Sequence, residues 1–287
     1  MRARAFAQWD RFSRSVRIPS RDHGIIPFTP FGTQTFLINE VLRGLEAGVH
    51  EFCILKPRQI GASTALMMLT LYWLLRHRGM QGALITEPDR TLQYLRGSLA
   101  KIAESIPARG TYPMRSHNRS GIQFATGSML TYDTAGVRKN TNLGKGRGLS
   151  LLHATEVSEW GDPEGVDSLR AALSQRHPHA LYVWESTAQG FNFFWDMWQD
   201  FERAESLRAI FIPWFFHEQY CLYPARDAMQ RRLFDVYWDG GCTPDETAWQ
   251  EQVTRRYGVT IAPAQWAWYR WHLSEKARSG QTMMQNF

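Results

Sequence analysis

The chain has 287 residues, 44% of them apolar and 21% charged, with a formal charge of +6. That balance supplies a full-sized core and excludes a disordered chain or a disulfide-stapled miniprotein, and the length suits one large domain with an appendage or two small ones. Cys53, Cys221 and Cys242 form no CxxC pair, so they read as buried thiols of a reducing compartment rather than zinc ligands.

Residues 1–21 hold six Arg against one Asp, and a basic arm over 1–23 follows from that excess. Such an arm either touches phosphates or an acidic neighbour, or is a solvated terminus. No apolar h-region follows the arginines, and the longest uncharged apolar stretch, Ala62 to Leu75, is too short for the ~20 residues a bilayer needs. A cytoplasmic protein with no membrane partner is expected.

Short apolar runs then alternate with longer amphipathic ones. Glu51–Lys56, Gly82–Thr86, Leu149–Ala154 and Ala180–Glu185 predict buried strands. Ser63–His77, Asp89–Ile106, Pro163–Gln175 and Phe191–Glu205 predict helices. Near-continuous hydrophobic strands between helices imply an α/β core with a mainly parallel sheet, placed at 24–213. Gly121–Asp133 reads as a hairpin and Thr134–Gly148 as a loop. Beyond Pro213 the spacing predicts a small helical subdomain over 214–287, with helices at Thr247–Arg256 and Ala264–Lys276. Its Trp249, Trp266, Trp268 and Trp271, at helical spacing, read as a lid packed on the sheet rather than a base-stacking surface.

Lys56-Pro57-Arg58-Gln59-Ile60-Gly61-Ala62-Ser63-Thr64 lies directly after a predicted strand and before a predicted helix. That context suits a phosphate-binding loop, because backbone N–H groups and the helix dipole converge on one spot. Against GxxxxGK[ST], Gly61 and Ser63 match, but Lys56 stands at the first Gly and Ala62 at the usual Lys. Either Lys56 or Arg58 can replace the missing cation. Ser63, or less directly Thr64, keeps a hydroxyl for Mg²⁺.

Leu149–Glu156 is an apolar strand ending in a carboxylate. If that strand lies beside the phosphate loop, Glu156 is placed to activate water, with Glu159 the alternative acid. Thr155 fills the position where an Asp usually assists the metal. Glu185-Ser186-Thr187-Ala188-Gln189-Gly190 ends the next strand with small hydroxyl residues able to bond a phosphate-bound water or the neighbouring strand end. His177-Pro178-His179 reads as a surface turn rather than a metal pair.

The order KPRQIGAST, LLHATE, ESTAQG resembles the ATPase domain of the large terminase subunit of tailed bacteriophages. The resemblance implies a P-loop NTPase of the ASCE/RecA-like kind that binds ATP and Mg²⁺ and drives double-stranded DNA into a procapsid. It gives the phosphate role to Lys56, a cis role on the γ-phosphate to Arg58, the catalytic carboxylate to Glu156, and coupling of hydrolysis to movement to Glu185, Ser186, Thr187 and Gly190. Phe28–Phe31 with Gln34 looks like the adenine-reading segment; the basic loop over 138–148 either sends an arginine into a neighbouring subunit's site, with Arg147 the choice, or contacts DNA phosphates. The implied partners are a portal protein, a small terminase subunit and further copies in a ring when active, with a monomer open to the isolated chain, in the host bacterial cytoplasm. Relatives continue into a nuclease domain where this chain ends at Phe287, so no cleavage is expected of it. Two alternatives stand beside the motor: a helicase-like remodelling ATPase, and a nucleotide-binding scaffold without turnover.

Overall fold

The sheet is built from the runs that are apolar on both faces. In a computed structural model, which describes residues 2–20, 22–87, 89–107, 114–135, 148–161 and 163–279, the chain forms two units, Met1–Ile212 and Pro213–Phe287. The first opens with α1 (Arg2–Ser15), a hairpin of β1 (Arg17–Ser20) and β2 (Gly24–Pro27), and α2 (Gly32–Glu46). β3 (Glu51–Leu55), α3 (Ala62–Arg76), β4 (Gln81–Thr86) and α4 (Asp89–Ser105) follow, then β5 (Met114–Asn118), β6 (Gly121–Phe124) and β7 (Met129–Thr134). β8 (Leu151–Thr155), α5 (Pro163–Ala171), β9 (Leu181–Ser186), α6 (Phe193–Arg203) and β10 (Leu207–Phe211) complete it.

Beside the β1–β2 hairpin, the other eight described strands make one sheet in the order β10-β3-β9-β8-β4-β7-β6-β5, parallel from β10 to β7 and antiparallel at the β6 and β5 edge. Every residue of β8 and β9 is buried, as a parallel strand covered on both faces requires. α3 is apolar nearly all round and buries eleven of its fifteen residues. The hairpin expected over 121–133 is β6 and β7. At Gly121 the strands approach so closely that a Cβ would collide with the Leu130 carbonyl oxygen.

Three expectations change. Residues 2–15 are not a free arm: Trp9, Phe12 and Val16 recur at helical spacing, and the Trp9 and Phe12 rings lie 5.6 and 5.1 Å from Tyr72 of α3. Arg11, Arg14 and Arg17 are exposed. The helix predicted to reach Gln175 stops at Ala171, because Ala172 and Ser174 exchange backbone hydrogen bonds with Leu149 ahead of β8. Cys53 and Cys221 are buried, but Cys242 is exposed.

The second unit holds α7 (Ala228–Tyr237), α8 (Pro244–Tyr257) and α9 (Pro263–Ser279). α8 begins ahead of its predicted start because Thr243 and Glu246 form a capping box with Pro244 at the first helical position. Trp266 and Trp268 are buried within this unit's own core, with Trp214, Trp249 and Tyr269 around them. Among the described residues, no helix is long and apolar enough to cross a membrane.

Candidate active site

The parallel strands end along one edge, and there β3 runs into the loop that opens α3. Lys56 N–H donates to the Ser186 carbonyl at 3.0 Å, tying the loop's start to the end of β9. Buried Ile60 anchors its middle, and Gln59 (φ 62°) and Gly61 (φ 71°) take left-handed backbone that turns the chain into the helix. Gln34 of α2 donates from Nε2 to the Gly61 carbonyl at 2.8 Å and accepts from Phe31 N–H at 2.9 Å. In this structure the Gln34 amide therefore clasps the loop. A Cβ on residue 61 would collide with Gln34 Nε2, so the backbone angle and the close approach both demand glycine there.

Within the loop, Ala62 is buried, Ser63 and Thr64 are half-buried at the first turn of α3, and Arg58 and Gln59 are exposed. Lys56 is almost wholly buried. Its Nζ lies 3.3 Å from Ser63 Oγ, 3.0 Å from Glu156 Oε1 and 3.2 Å from Glu185 Oε2. The loop lysine, the first-turn hydroxyl and both strand-end carboxylates thus meet at one atom.

The strand bearing Glu156 does not lie beside β3, as the phosphate-loop reading supposed. β9 is inserted between them, paired to β3 on one side and β8 on the other. Lys56 and Glu156 meet across its end because both side chains are long. The insertion also puts Glu185 in register with Ile54 and Thr155, directly beneath the lysine. Glu185 is completely buried and accepts from Thr155 and from His153, whose Nε2 is 3.3 Å from Oε1. Burial opposes ionisation of Glu185, but the Lys56 charge and the His153 and Thr155 hydrogen bonds outweigh it and hold the carboxyl well below its usual range. Burial likewise opposes the Lys56 charge, and the Glu185 and Glu156 carboxylates overcome that and raise its pKa.

Glu156 follows the last residue of β8 in left-handed backbone (φ 53°), uncommon for a residue with a side chain, and leads into a 3₁₀ turn, Val157–Glu159. That turn is stitched to the end of β9. Ser158 N–H donates to Ser186 Oγ at 3.0 Å, Ser186 Oγ to Ser158 Oγ at 2.6 Å, and Ser158 Oγ to the Thr187 carbonyl at 3.1 Å. Thr187 Oγ1 is buried with no partner among the described residues, and Gly190 takes positive φ. Glu159 accepts from Gln189 at 2.8 Å rather than meeting Lys56. Arg147 and the rest of 136–147 lie outside the described residues. The His179 ring stacks on His77, centroids 3.9 Å apart.

Sequence reasoning gave Glu185 a coupling role and passed over His153 as part of a hydrophobic run. The available signal was a charged or polar residue at alternate positions of otherwise apolar strands, where burial demands a partner.

A strand, a tight turn and a helix on a mostly parallel sheet flanked by helices form a P-loop NTPase-like fold. The same fold is found in the ATPase domains of bacteriophage large terminases. The HK97 bacteriophage large terminase is similar with a TM-score of 0.54 at 13% identity, over 88% of this chain and 52% of that one. The large terminase of a thermophilic bacteriophage, in complex with ADP, gives 0.51 at 11% identity, over 74% of this chain and 51% of that one. The chain therefore spans about half the length of these structures. No family model matches the sequence, and no curated protein sequence matches it.

Proposed function

We propose that the chain is the ATP-hydrolysing motor domain of a viral DNA-packaging terminase. One observation carries the reading: at the turn between β3 and α3, the Lys56 ammonium lies within 3.3 Å of both the Ser63 hydroxyl and the Glu156 carboxylate. Backbone N–H groups at the start of α3 and the Lys56 cation bind the phosphates. Arg58, exposed on the loop, reaches the γ-phosphate in cis, and Gln34 holds the loop's shape at the edge of the adenine site. Glu156 takes the proton of the attacking water.

The residues present fit a nucleotide-borne Mg²⁺, which takes one or two protein oxygens and completes its shell with phosphate and water. Ser63 Oγ would supply the first oxygen, while the Thr155 hydroxyl bonds Glu185 and so stands further back. Among the described residues, no cluster of three or more His, Cys, Asp or Glu forms an all-protein metal site. Such an ion would supply neutralisation of the phosphate charge.

Glu185 to Gly190 is joined by the Ser158–Ser186 hydrogen bonds to the turn behind Glu156, which supports its role in passing hydrolysis on to movement. The further elements of the reading are translocation of double-stranded DNA, a ring of copies, a portal and a small subunit as partners, and the host cytoplasm as the setting. Phosphate release with and without double-stranded DNA tests it. Hydrolysis stimulated by DNA and lowered about a hundredfold or more by Glu156→Ala, with nucleotide binding kept, is expected. Turnover unchanged by Glu156→Ala refutes the assignment.

A further inference from the structure

The bridge beneath the phosphate loop is lopsided. The Glu185 side chain has no exposed surface, whereas 24% of the Glu156 side chain is exposed. Glu185 is fixed by its place between Ile54 and Thr155, by the Thr155 hydroxyl and by His153. Glu156 stands past the end of its strand, on a turn. Parting Lys56 from Glu185 strands a carboxylate that water cannot reach, while parting it from Glu156 leaves one that water hydrates. A phosphate entering the loop competes for the same ammonium, so the pair that yields is Lys56–Glu156.

His153 fits this asymmetry. It is a buried ring in a strand that is otherwise apolar up to Thr155, and its Nδ1 has no partner among the described residues. Its polar engagement is with Glu185 through Nε2, which as the N–H donor fixes that carboxylate's orientation.

We propose that Glu185, oriented by His153, is the positioning residue that keeps Lys56 at the floor of the loop while the lysine exchanges Glu156 for a phosphate oxygen. The proposal rests on the nucleotide-hydrolase reading above. It makes Glu156 a base that is paired to Lys56 when the loop is empty and released by the phosphate itself, so that water activation is tied to occupancy. Glu185 touches neither water nor nucleotide in this scheme.

Lysine modification read by mass spectrometry tests the holding role without nucleotide. With the intact chain under an amine-methylating reagent, Lys56 is expected to be protected relative to exposed Lys101. Glu185→Gln should raise Lys56 modification about fivefold or more, and Glu156→Gln less than about twofold, because the buried partner retains the amine. Equal rises, or a larger rise with Glu156→Gln, overturn the proposal. Turnover and nucleotide affinity supply the second reading. Glu185→Gln should lower kcat about tenfold with Kd changed less than about threefold, and Glu185→Asp should recover most of the loss. Affinity falling in step with kcat, or Gln and Asp behaving alike, also overturns it. Should Glu185→Gln lack a cooperative melt, His153→Gln gives the same signature in smaller degree, and unchanged Lys56 modification in that variant counts against the proposal. A native chain that neither binds nor hydrolyses Mg-ATP removes the hydrolase reading, while the modification pattern still decides whether Glu185 or Glu156 holds the lysine.

Discussion

Replacing Lys56 by Met isolates the electrostatics of the site, since it keeps the stem and deletes the charge between Glu156 and Glu185. Among the described residues, Glu185 is then a wholly buried carboxylate with His153 and Thr155 left to face it. Removing one partner of such a pair costs about 3–5 kcal/mol, a large share of the ~5–15 kcal/mol that holds a domain folded. The pH dependence should reverse as well. In the native chain the Glu185 carboxyl sits below its unfolded value, so its stabilisation is present above the ordinary carboxylate range, about 4.3, and is lost as pH falls below it. Without Lys56, burial pushes that carboxyl above its unfolded value, and stability should fall as pH rises from about 5 to 7. Urea midpoints followed by circular dichroism at both pH values measure this. Lys56→Met with Glu185→Gln should recover all but about 1 kcal/mol of the loss, because no buried charge is left unpaired. A single variant costing under about 1 kcal/mol, or a double variant as unstable as the single, refutes the reasoning.

Gly61→Ala should cost about 2–3 kcal/mol, the sum of left-handed strain and a displaced Gln34 amide, and should weaken nucleotide binding. In a Gln34→Ala background the same substitution should cost only the strain; an equal cost in both, by urea denaturation, argues against the clasp. Burial, with the neighbouring charges of His179, Arg76 and His177, pushes the His77 pKa down to about 4. The unfolded chain therefore takes up this proton first, and stability should drop between about pH 6.5 and 4, by about 1–2 kcal/mol once partial solvent access is allowed for. Melting curves of His77→Gln should lack that part of the slope, and a variant with the native slope refutes the assignment.

The buried strands were legible because a parallel sheet covered on both faces leaves an apolar run, and β3, β4, β8 and β9 each carry one. β10 and β5 are more exposed and gave no such run. α1 hid behind its arginines: the charge excess was plain, whereas the stripe of Trp9, Phe12 and Val16 becomes decisive only when Tyr72 is there to receive it. The loop and Glu156 were readable from their positions at strand ends. Strand order was not, since periodicity does not say which strands are neighbours. The place of Glu185 under Lys56 follows from that order alone, which is why its contact with the lysine could not be read from the sequence.

The width of one strand sets the side-chain lengths at this site. With β9 hydrogen-bonded on both flanks, the backbones of β3 and β8 are held two strand spacings apart, ~9.5 Å, and they cannot slide together without tearing two ladders. A lysine and a glutamate bridge that interval, their Nζ and Oε1 lying 3.0 Å apart. An aspartate at 156 would set its carboxylate about one carbon–carbon bond, ~1.5 Å, further back, so that the lysine would have to lean further to keep the contact. β9 thus acts as a spacer, bridged by two side chains that it does not itself carry.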